Sequence, residues 1–217
     1  MCHSKPLFYL FIVFMAFGLS GNALACPAVE CENDAATITV GDIAPDFVLP
    51  NADGKAKKLS TILEHGPVVL SFYRGGWCPI CNEQLYTYQE NLDKFKELGA
   101  SLVAISPEKP ESANDTSVRN SLKFEVLSDY GNNIARSYDL IWRIPEDQHA
   151  GFSQWLKTEH NKTLAEFNGL EEYELPIPAT LVIGRDGKIV YMFRDEDYKK
   201  RAPLDKIFKA LEGLKAQ

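Results

Sequence analysis

Short apolar runs and segments of helical periodicity follow one another along the chain. Residues 67–73, 100–106 and 178–184 are short, uncharged and rich in β-branched or aromatic side chains, which predicts three buried strands. Residues 79–98 carry apolar side chains at three- and four-residue spacing, which predicts an amphipathic helix that ends at Gly99. This part of the chain therefore alternates strands with helices.

Weaker patterns predict the remaining elements. These are a polar helix at 110–121, a strand at 124–127, a short helix at 132–138, an irregular and partly helical stretch at 141–175, a strand at 189–193 and a helix at 203–214. Arg185-Asp186-Gly187-Lys188 is typical of a hairpin turn between two strands. Strands linked through helices indicate an α/β fold with a central, mostly parallel sheet and helices on both faces, and the C-terminal hairpin adds an antiparallel edge.

The N-terminus has the features of a removable export signal. Lys5 is followed by an almost unbroken apolar run at residues 7–19, and Ala23-Leu24-Ala25 places small residues where a signal peptidase cleaves. We therefore expect a signal peptide over residues 1–25 and a periplasmic or secreted protein. An uncleaved membrane anchor is disfavoured because the run is shorter than the about 20 residues that span a bilayer. A lipoprotein acylated at Cys26 is the other alternative.

The rest of the chain is expected to form a short tether over residues 26–40 and one domain over residues 41–217. The composition is acidic, with 30 Asp and Glu against 23 Lys and Arg and a formal net charge of −7. An acidic chain without a basic run is a poor candidate for nucleic-acid binding. No second apolar stretch is long enough to cross a membrane, and the sequence implies no metal or organic cofactor.

Four cysteines form two close pairs once Cys2 is assigned to the signal peptide. Cys26 and Cys31 lie in the expected tether, where we expect a small loop disulfide or a flexible pair, with an extra resolving pair as the alternative. Cys78 and Cys81 lie at the junction between a predicted strand and a predicted helix. An oxidising compartment favours disulfides in both pairs unless a reductant is present.

The Cys78–Cys81 pair has the features of a redox-active dithiol. A helix N-terminus presents free N–H groups and a partial positive charge, which favour the reactive thiolate. The i,i+3 spacing puts both sulfurs on one helical face, within reach of each other. Pro79 stiffens the turn between them, and Arg74 is placed to add a positive charge. A structural disulfide, half of a zinc site and an inert buried pair are the alternatives.

Several motifs around this pair resemble a known superfamily. Those that look like the thioredoxin fold are Phe72-Tyr73-Arg74-Gly75-Gly76-Trp77-Cys78-Pro79-Ile80-Cys81, Pro178-Ala179-Thr180-Leu181-Val182-Ile183 and Asp186-Gly187-Lys188-Ile189. Those that look like its AhpC/TSA group, the peroxiredoxins and their relatives, are residues 41–49 and Leu127-Ser128-Asp129. Leu175-Pro176-Ile177-Pro178-Ala179-Thr180 and Asp195-Glu196-Asp197-Tyr198 are similar to a branch with a CPxC active site. The resemblance covers roughly residues 41–214 and implies a thioredoxin-like fold.

The resemblance implies two different assignments for the cysteines. Peroxiredoxin spacing places the peroxide-attacking cysteine at Cys81, with Cys78 at the family's Thr or Ser position and Arg74 at its Pro position. Thioredoxin spacing makes Cys78 the attacking thiolate, Cys81 the resolving thiol and Pro178 a cis-proline that faces them. Pro178 also stands where peroxiredoxins usually have an active-site arginine. Besides Arg74 and Pro178, the implied supporting residues are Trp77, Pro79 and Thr180.

The resemblance also implies a function. It implies a peroxiredoxin-like thiol peroxidase that reduces hydrogen peroxide or organic hydroperoxides through Cys78 and Cys81, with a thioredoxin-like dithiol as reductant. The alternative is an exported thioredoxin-like thiol–disulfide oxidoreductase that acts on protein disulfides. A binding module with an inactive site is the third hypothesis. The sequence does not indicate the oligomeric state.

The remaining aromatic, histidine and charged residues have less specific patterns. Trp142, Phe152 and Trp155 are expected to pack the 141–175 segment on the sheet, with a hydrophobic wall over the site as the alternative. Residues 195–201 are expected to form a solvated charged turn. The histidines expected to be solvated are His65, His149 and His160.

Overall fold

The computed structural model describes residues 37–169, 172–195 and 197–215. The strands are β1 (Val48–Pro50), β2 (Ala56–Lys58), β3 (Val68–Phe72), β4 (Ser101–Ser106), β5 (Glu125–Ser128), β6 (Ile141–Arg143), β7 (Glu174–Pro176), β8 (Ala179–Ile183) and β9 (Ile189–Arg194). The helices are α1 (Leu59–Leu63), α2 (Pro79–Glu90), α3 (Leu92–Glu97), α4 (Pro110–Arg119), α5 (Asn133–Ser137), α6 (Glu146–His160), α7 (Leu164–Asn168) and α8 (Leu204–Lys215). The expected signal peptide, most of the expected tether, Cys26 and Cys31 lie outside the described residues.

A five-stranded sheet with the order β5-β4-β3-β8-β9 forms the centre of the fold. β3 pairs with β4 and β4 with β5 in parallel, whereas β8 runs antiparallel to both β3 and β9. The sheet is therefore mixed, and its antiparallel half extends beyond the C-terminal hairpin that the sequence predicts. An apolar run indicates that a strand is buried, but the strand's direction depends on how the chain returns to the sheet. Here the return is the long segment between β5 and β8.

The side chains of β3 alternate between the two faces of the sheet, and helices cover each face. Val68, Leu70 and Phe72 belong to a core cluster that includes residues of α1 and α5. Val69 belongs to another cluster, which includes residues of α3 and α8. The predicted α/β fold with helices on both faces is confirmed, and the carboxyl end of its central strand leads to the two cysteines.

Two segments differ from their predicted secondary structure. The helix predicted over 79–98 is divided into α2 and α3 at Asn91, whose side chain donates to the Thr87 carbonyl at 2.9 Å and so competes with the helical backbone. The 141–175 stretch, predicted to be irregular and partly helical, holds two helices and also an antiparallel β6–β7 pair that the sequence did not predict. Helix α6 has 15 residues but buries only Leu156 fully, so its hydrophobic periodicity is weak.

Packing against the sheet begins close to the start of the described residues. Ile38 contacts the core cluster around β3, and the Gly41 N–H donates to the Ile189 carbonyl at 2.8 Å. Contacts with the sheet are therefore already present at Ile38, slightly before residue 41, where the sequence places the beginning of the domain. None of the helices within the described part of the chain is both long enough and apolar enough to cross a membrane.

Candidate active site

The segment between β3 and α2 carries both cysteines to the N-terminus of the helix. Cys78 precedes α2 with an extended backbone (φ −87°, ψ 115°), Pro79 is the first helical residue, and Cys81 lies in the first turn. A proline fits there because that position needs no N–H donor. Both thiols are free, and Cys78 and Cys81 are only 3% and 0% exposed. The structure therefore places the predicted pair at a helix N-terminus and buries it.

The turn before the dithiol depends on two adjacent glycines. Gly75 has φ +143°, and a Cβ there would collide with the indole of Trp77. A Cβ on Gly76 would collide with the side chains of Thr116 and Arg119. The Gly76 carbonyl accepts a hydrogen bond from Arg119 Nη2 at 2.7 Å. Helix α4 therefore packs directly on this turn and holds the backbone that leads to the cysteines.

The two thiols have opposite ionisation tendencies. The pKa of Cys78 is lowered to about 6, chiefly because the Cys81 thiol donates toward the Cys78 sulfur, and the Cys81 backbone N–H, Arg74 and Arg201 act in the same sense. Burial raises the pKa of Cys81 well above its usual value, and its interaction with Cys78 raises it further. Because the thiolate is the nucleophilic form, this arrangement favours Cys78 as the attacking cysteine and Cys81 as the resolving one.

Arg201 approaches the dithiol from the turn before α8. Its Nη2 atom donates to the Cys81 sulfur at 3.5 Å, and its Nε atom is buried with no hydrogen-bond partner among the described residues. The predicted solvated turn at 195–201 is therefore wrong for Arg201. Tyr198 and the two lysines that follow it are exposed, although the ring of Tyr198 also contacts Arg74. Arg201 is 120 positions away from Cys81 in the chain, so only the fold brings them together.

Arg74 is a buried guanidinium surrounded by aromatic rings. It is 6% exposed, and its guanidinium carbon lies 4.3 Å from the ring centre of Tyr198, 5.2 Å from that of Trp77 and 5.7 Å from that of Trp142. Its Nε atom has no hydrogen-bond partner in the part of the chain that the structure describes. Aromatic faces attract a cation but do not neutralise its charge. The positive charge of Arg74 therefore favours the ionised form of Cys78.

A cavity of about 410 Å³ lies over Cys78. It is lined by Arg74, Trp77, Cys78, Pro79, Ile80, Phe152, Trp155 and Tyr198. The rings of Phe152 and Trp155, both on α6, pack edge-to-face on Trp77 with centres 5.5 and 6.0 Å apart. The structure therefore favours a hydrophobic wall over the site, rather than packing of the 141–175 segment alone. A cavity of similar volume, about 450 Å³, lies at the amino ends of β4 and β5 and is lined by neither cysteine.

Glu108 is a buried carboxylate that the sequence interpretation missed. It accepts hydrogen bonds from the hydroxyls of Tyr73 at 3.0 Å, Ser106 at 3.1 Å and Thr116 at 3.2 Å. Burial raises the pKa of Glu108, while the Gly76 N–H and the three hydroxyls act in the opposite direction. The carboxyl ends of the parallel strands β3 and β4 meet at one edge of the sheet. A charged residue two positions after the end of β4 is thus a sequence signal for a group beneath the cysteine turn.

The two supporting residues predicted on the late strand lie next to β3 and behind α2. Pro178 is buried and immediately precedes β8, which pairs with β3. Thr180 Oγ1 lies 2.9 Å from the Tyr88 hydroxyl and accepts a hydrogen bond from Gln84 Nε2 at 3.3 Å. These contacts hold the middle of α2 on the sheet, so Thr180 supports the helix that carries Cys81.

The histidines are only partly solvated. His65 is exposed, as predicted. His149 instead stacks on Tyr173 with ring centres 3.7 Å apart, and His160 packs edge-to-face on Trp155 at 5.5 Å. Both therefore contribute to the packing of the α6 region, because the aromatic side chains gathered there cover their rings.

Similarity to known proteins agrees with this geometry. The chain is 34% identical over 112 residues to "Peroxiredoxin Q, chloroplastic" of Gentiana triflora, a match that covers 52% of this chain and 49% of that protein. It is 31% identical over 105 residues to "Peroxiredoxin Bcp" of Escherichia coli (strain K12), covering 48% of this chain and 66% of that protein. The match thus spans about half the length of the Gentiana protein.

The fold is also similar to a solved structure. The crystal structure of peroxidoxin BcpB from Mycobacterium tuberculosis superposes with a TM-score of 0.62 at 24% sequence identity, over 82% of this chain and 98% of that one. At this level of identity the similarity shows a common fold. The thioredoxin-like peroxiredoxin fold that the sequence motifs imply is therefore confirmed.

The prediction of an exported protein is wrong. Relatives whose names state a compartment are chloroplastic. An apolar N-terminal run followed by small residues is a short compositional pattern, and it is not specific enough to outweigh these relatives. The segment on which that prediction depends, residues 1–25, lies outside the described residues.

A family model described as "AhpC/TSA family" matches residues 40–192. The matched region contains the central sheet up to Met192, both cysteines and the whole of α6. It agrees with the motifs that surround the cysteines and with the mixed, helix-covered sheet. The chain therefore belongs to the AhpC/TSA family.

Proposed function

We propose that the protein is a thiol peroxidase that reduces hydroperoxides with the Cys78–Cys81 pair. The observation that carries the proposal is the position of Cys78, the thiol with the lowered pKa, in the wall of a cavity that Arg74 also lines. The names of the relatives, which are peroxiredoxins, support a peroxide as the substrate. The dithiol needs no metal or organic cofactor for this reaction.

The first step is an attack of the Cys78 thiolate on one oxygen of the hydroperoxide. The S–O bond forms as the O–O bond breaks, so the sulfur is oxidised to a sulfenic acid. The remaining oxygen leaves as an alkoxide or hydroxide and takes up a proton to give an alcohol or water. A positive charge in a site shielded from water stabilises the negative charge that develops on this oxygen. Arg74 is the cation that lines the cavity next to Cys78.

The second step joins the two cysteines and the third restores them. The Cys81 sulfur attacks the sulfenic sulfur, a disulfide forms, and the sulfenic hydroxyl leaves as water with the thiol proton. Arg201 Nη2, 3.5 Å from the Cys81 sulfur, favours its deprotonation. A dithiol of the thioredoxin type then supplies two electrons and two protons by thiol–disulfide exchange, which regenerates both thiols.

Exchange with disulfides of other proteins is the second candidate. Two observations favour it: the lowered pKa belongs to Cys78, the first cysteine of the pair, and the buried Pro178 precedes the strand that pairs with β3. Thioredoxin spacing implies both features. Peroxide nevertheless comes first, because the relatives carry peroxiredoxin names.

Peroxide kinetics distinguish the two functions. Reduced full-length protein is mixed with an excess of hydrogen peroxide or cumene hydroperoxide, and the loss of thiols is followed by stopped flow. The proposal predicts second-order oxidation by at least one peroxide well above that of free cysteine, and steady turnover when thioredoxin and its reductase are added. Oxidation no faster than that of free cysteine, together with reduction of insulin disulfides, would replace the proposal with disulfide exchange.

A further inference from the structure

We propose that a second cavity, between the β5–α5 loop, the end of α7 and β7, binds a small monovalent cation such as K⁺. Asn132 and Asn168 supply amide oxygens as ligands, and Glu172 supplies a carboxylate. This asparagine cavity shares no lining residue with the cavity over Cys78. The proposal is therefore independent of the peroxidase function.

The asparagine cavity lies where two parallel strands of the central sheet end. Pro107 follows β4, Gly131 and Asn132 follow β5, and all three line the cavity. Crevices outside the carboxyl ends of the strands are common places for ligands in α/β folds. The volume is about 170 Å³, several times the roughly 30 Å³ that one molecule of liquid water takes up. The cavity therefore has room for an ion that keeps part of its hydration shell.

Two buried amide oxygens in the wall of this cavity need a partner. Asn132 and Asn168 are each 5% exposed and both line the cavity. Their Oδ1 atoms are buried, and the described residues offer neither of them a hydrogen bond. Burial of an unpaired oxygen costs free energy, so such atoms are rare in folded proteins. Two of them in one small cavity point to a shared ligand that interacts with oxygen.

The orientation of the Asn132 amide is fixed by its own nitrogen. Asn132 Nδ2 donates to the Glu174 carbonyl at 3.1 Å, so the oxygen is the atom left for a ligand. The backbone of Asn132 is left-handed (φ 56°, ψ 26°), a conformation that asparagine adopts more readily than most residues. Asn132 therefore holds its oxygen in place before any ligand binds.

A contact between Tyr130 and Gly169 keeps the two asparagines at the same cavity. The Tyr130 hydroxyl donates to the Gly169 carbonyl at 3.2 Å. Gly169 directly follows Asn168, has φ +76°, and would collide with the Tyr130 ring if it carried a Cβ. The end of α7 is therefore packed closely on the loop that bears Asn132.

The charges in the wall favour a cation over an anion. One arginine, Arg136, and two glutamates, Glu172 and Glu174, line the cavity. Arg136 Nη2 already donates to Glu174 at 2.8 Å, and Arg143 Nε pairs with the other oxygen of Glu174 at 2.8 Å. The guanidinium of Arg136 is thereby directed to Glu174, and the unpaired atoms of the wall are the acceptors on the asparagines. A negatively charged ligand would meet these oxygens unfavourably.

The kind of oxygen ligand favours a single positive charge. Divalent cations such as Ca²⁺ and Mg²⁺ are held largely by carboxylates. No group of three or more His, Cys, Asp or Glu side chains that could hold a metal occurs in the part of the chain that the structure covers. Neutral carbonyl oxygens, by contrast, replace the hydration shell of K⁺ in protein sites. Two amide oxygens and one carboxylate therefore suit K⁺ or a cation of similar charge and size.

Thermal unfolding in different salts tests this proposal. The full-length protein is unfolded in KCl and in tetramethylammonium chloride at equal ionic strength, because the methyl groups of that cation keep its charge away from oxygen ligands. The Tm should be higher in KCl by roughly 2–4 °C, and the rise should saturate with the K⁺ concentration. An equal Tm in the two salts would overturn the proposal. A larger rise with CaCl₂ than with KCl would also overturn it, in favour of a divalent site.

Variants of Asn168 connect the salt effect to this cavity. Asn168→Leu removes one ligand oxygen and should abolish most of the rise in Tm with K⁺. Asn168→Asp buries a charge, so it should be less stable than the wild type in tetramethylammonium chloride and should gain more from K⁺. A destabilised Asn168→Asp variant without a K⁺ response would contradict the proposal. Asn114→Leu, which removes an exposed amide of α4 outside the cavity, is the control and should keep the wild-type rise.

Glu172→Gln provides a test that does not disturb buried packing, because Glu172 is exposed. Loss of its charge should raise the K⁺ concentration for half-maximal stabilisation by roughly two- to five-fold. An unchanged K⁺ dependence would remove Glu172 from the site.

Crystals grown in RbCl give a readout of position. Rb⁺ replaces K⁺ at oxygen sites and scatters anomalously, so an anomalous peak should lie within coordination distance of Asn132 Oδ1 and Asn168 Oδ1. Water can also satisfy two oxygens in a polar cavity of this size. Ordered water in the cavity without an anomalous peak would therefore overturn the proposal.

Discussion

The two cysteines lie three positions apart and have different surroundings. Cys78 borders a cavity and faces the buried charge of Arg74. Cys81 faces the protein interior, where its burial is complete and Arg201 contacts its sulfur. As a result, one thiol has a pKa of about 6 and the other is held neutral. The comparison teaches that the environment of each sulfur, rather than the CxxC spacing, gives the two thiols opposite ionisation tendencies.

The two arginines differ in the same way. Arg201 donates to the Lys200 carbonyl at 2.8 Å as well as to the Cys81 sulfur, so the protein itself holds its guanidinium. Arg74 is instead held by the faces of aromatic rings, although in the described ranges the Nε atoms of both arginines are buried without a hydrogen-bond partner. The guanidinium of Arg74 therefore acts on Cys78 through its charge, whereas that of Arg201 also donates a hydrogen bond to the Cys81 sulfur.

Among the substitutions that test this comparison, replacement of the cysteines should have the largest effect on the rate of peroxide oxidation. Cys78→Ser should lower the rate constant of peroxide oxidation by at least about three orders of magnitude, because it removes the nucleophile. Cys81→Ser should still undergo the first oxidation and should accumulate a sulfenic acid that a dimedone-based reagent labels. Labelling of Cys81 in the Cys78→Ser variant, with none in Cys81→Ser, would reverse the two assignments.

Glu108→Gln tests the buried hydrogen-bond network beneath the cysteine turn. The amide donates hydrogen bonds where the carboxylate accepts them from three hydroxyls, so at least one buried hydroxyl loses its acceptor. The free energy of unfolding, measured by urea denaturation, should fall by about 1–3 kcal/mol. The control is Glu111→Gln, which replaces an exposed residue in the first turn of α4 and should leave the free energy of unfolding unchanged. Equal stability of the two variants would mean that the Glu108 network does not hold the cysteine turn.

Arg74→Gln tests the contribution of the buried charge that faces Cys78 at the cavity. Loss of the positive charge should raise the pKa of Cys78 by about one unit and slow peroxide oxidation at neutral pH by roughly ten-fold. In the wild type, alkylation of Cys78 by iodoacetamide should slow as the pH falls through about 6, because the lowered pKa preserves the thiolate down to that pH. In the variant this decline should begin at a higher pH.

The control for Arg74→Gln is Arg143→Gln, which removes an exposed arginine from β6. Its pH profile of alkylation should match that of the wild type. If Arg74→Gln also kept the wild-type profile, then the Cys81 thiol and the backbone alone would be sufficient to stabilise the thiolate.

Arg201→Gln should have the smallest effect. Arg201 is only partly buried and lies 3.5 Å from the Cys81 sulfur, so removing its charge should slow disulfide formation from the sulfenic acid by roughly two- to five-fold. The rate of the first oxidation, which forms the sulfenic acid, should change less than the rate of disulfide formation. Double-mixing stopped flow separates the two phases, and Lys199→Gln, from the exposed part of the same turn, is the control. A larger effect on the first phase would place Arg201 on the cavity side.

The strand–turn–helix that bears the cysteines could be predicted because its determinants are neighbours in the sequence. A β-branched run forms β3, two glycines form the turn, and Pro79 begins α2. Helix α6 could not be predicted as a wall, because most of its positions are polar and its two rings find their partner, Trp77, far away in the chain. For the same reason, the charged stretch at 195–201 gave no indication that Arg201 reaches the Cys81 sulfur or that the ring of Tyr198 contacts Arg74.

By itself, the sequence determined the place of the dithiol at a helix N-terminus, the alternation of strands and helices and the family, because these depend on local spacing and periodicity. Only the tertiary structure decided the antiparallel direction of β8, the ionisation of Cys78 rather than Cys81, and the walls of the cavity. Burial and charge act through space, and the groups that set them at the two sulfurs come from the β3–α2 turn, α6 and the turn before α8.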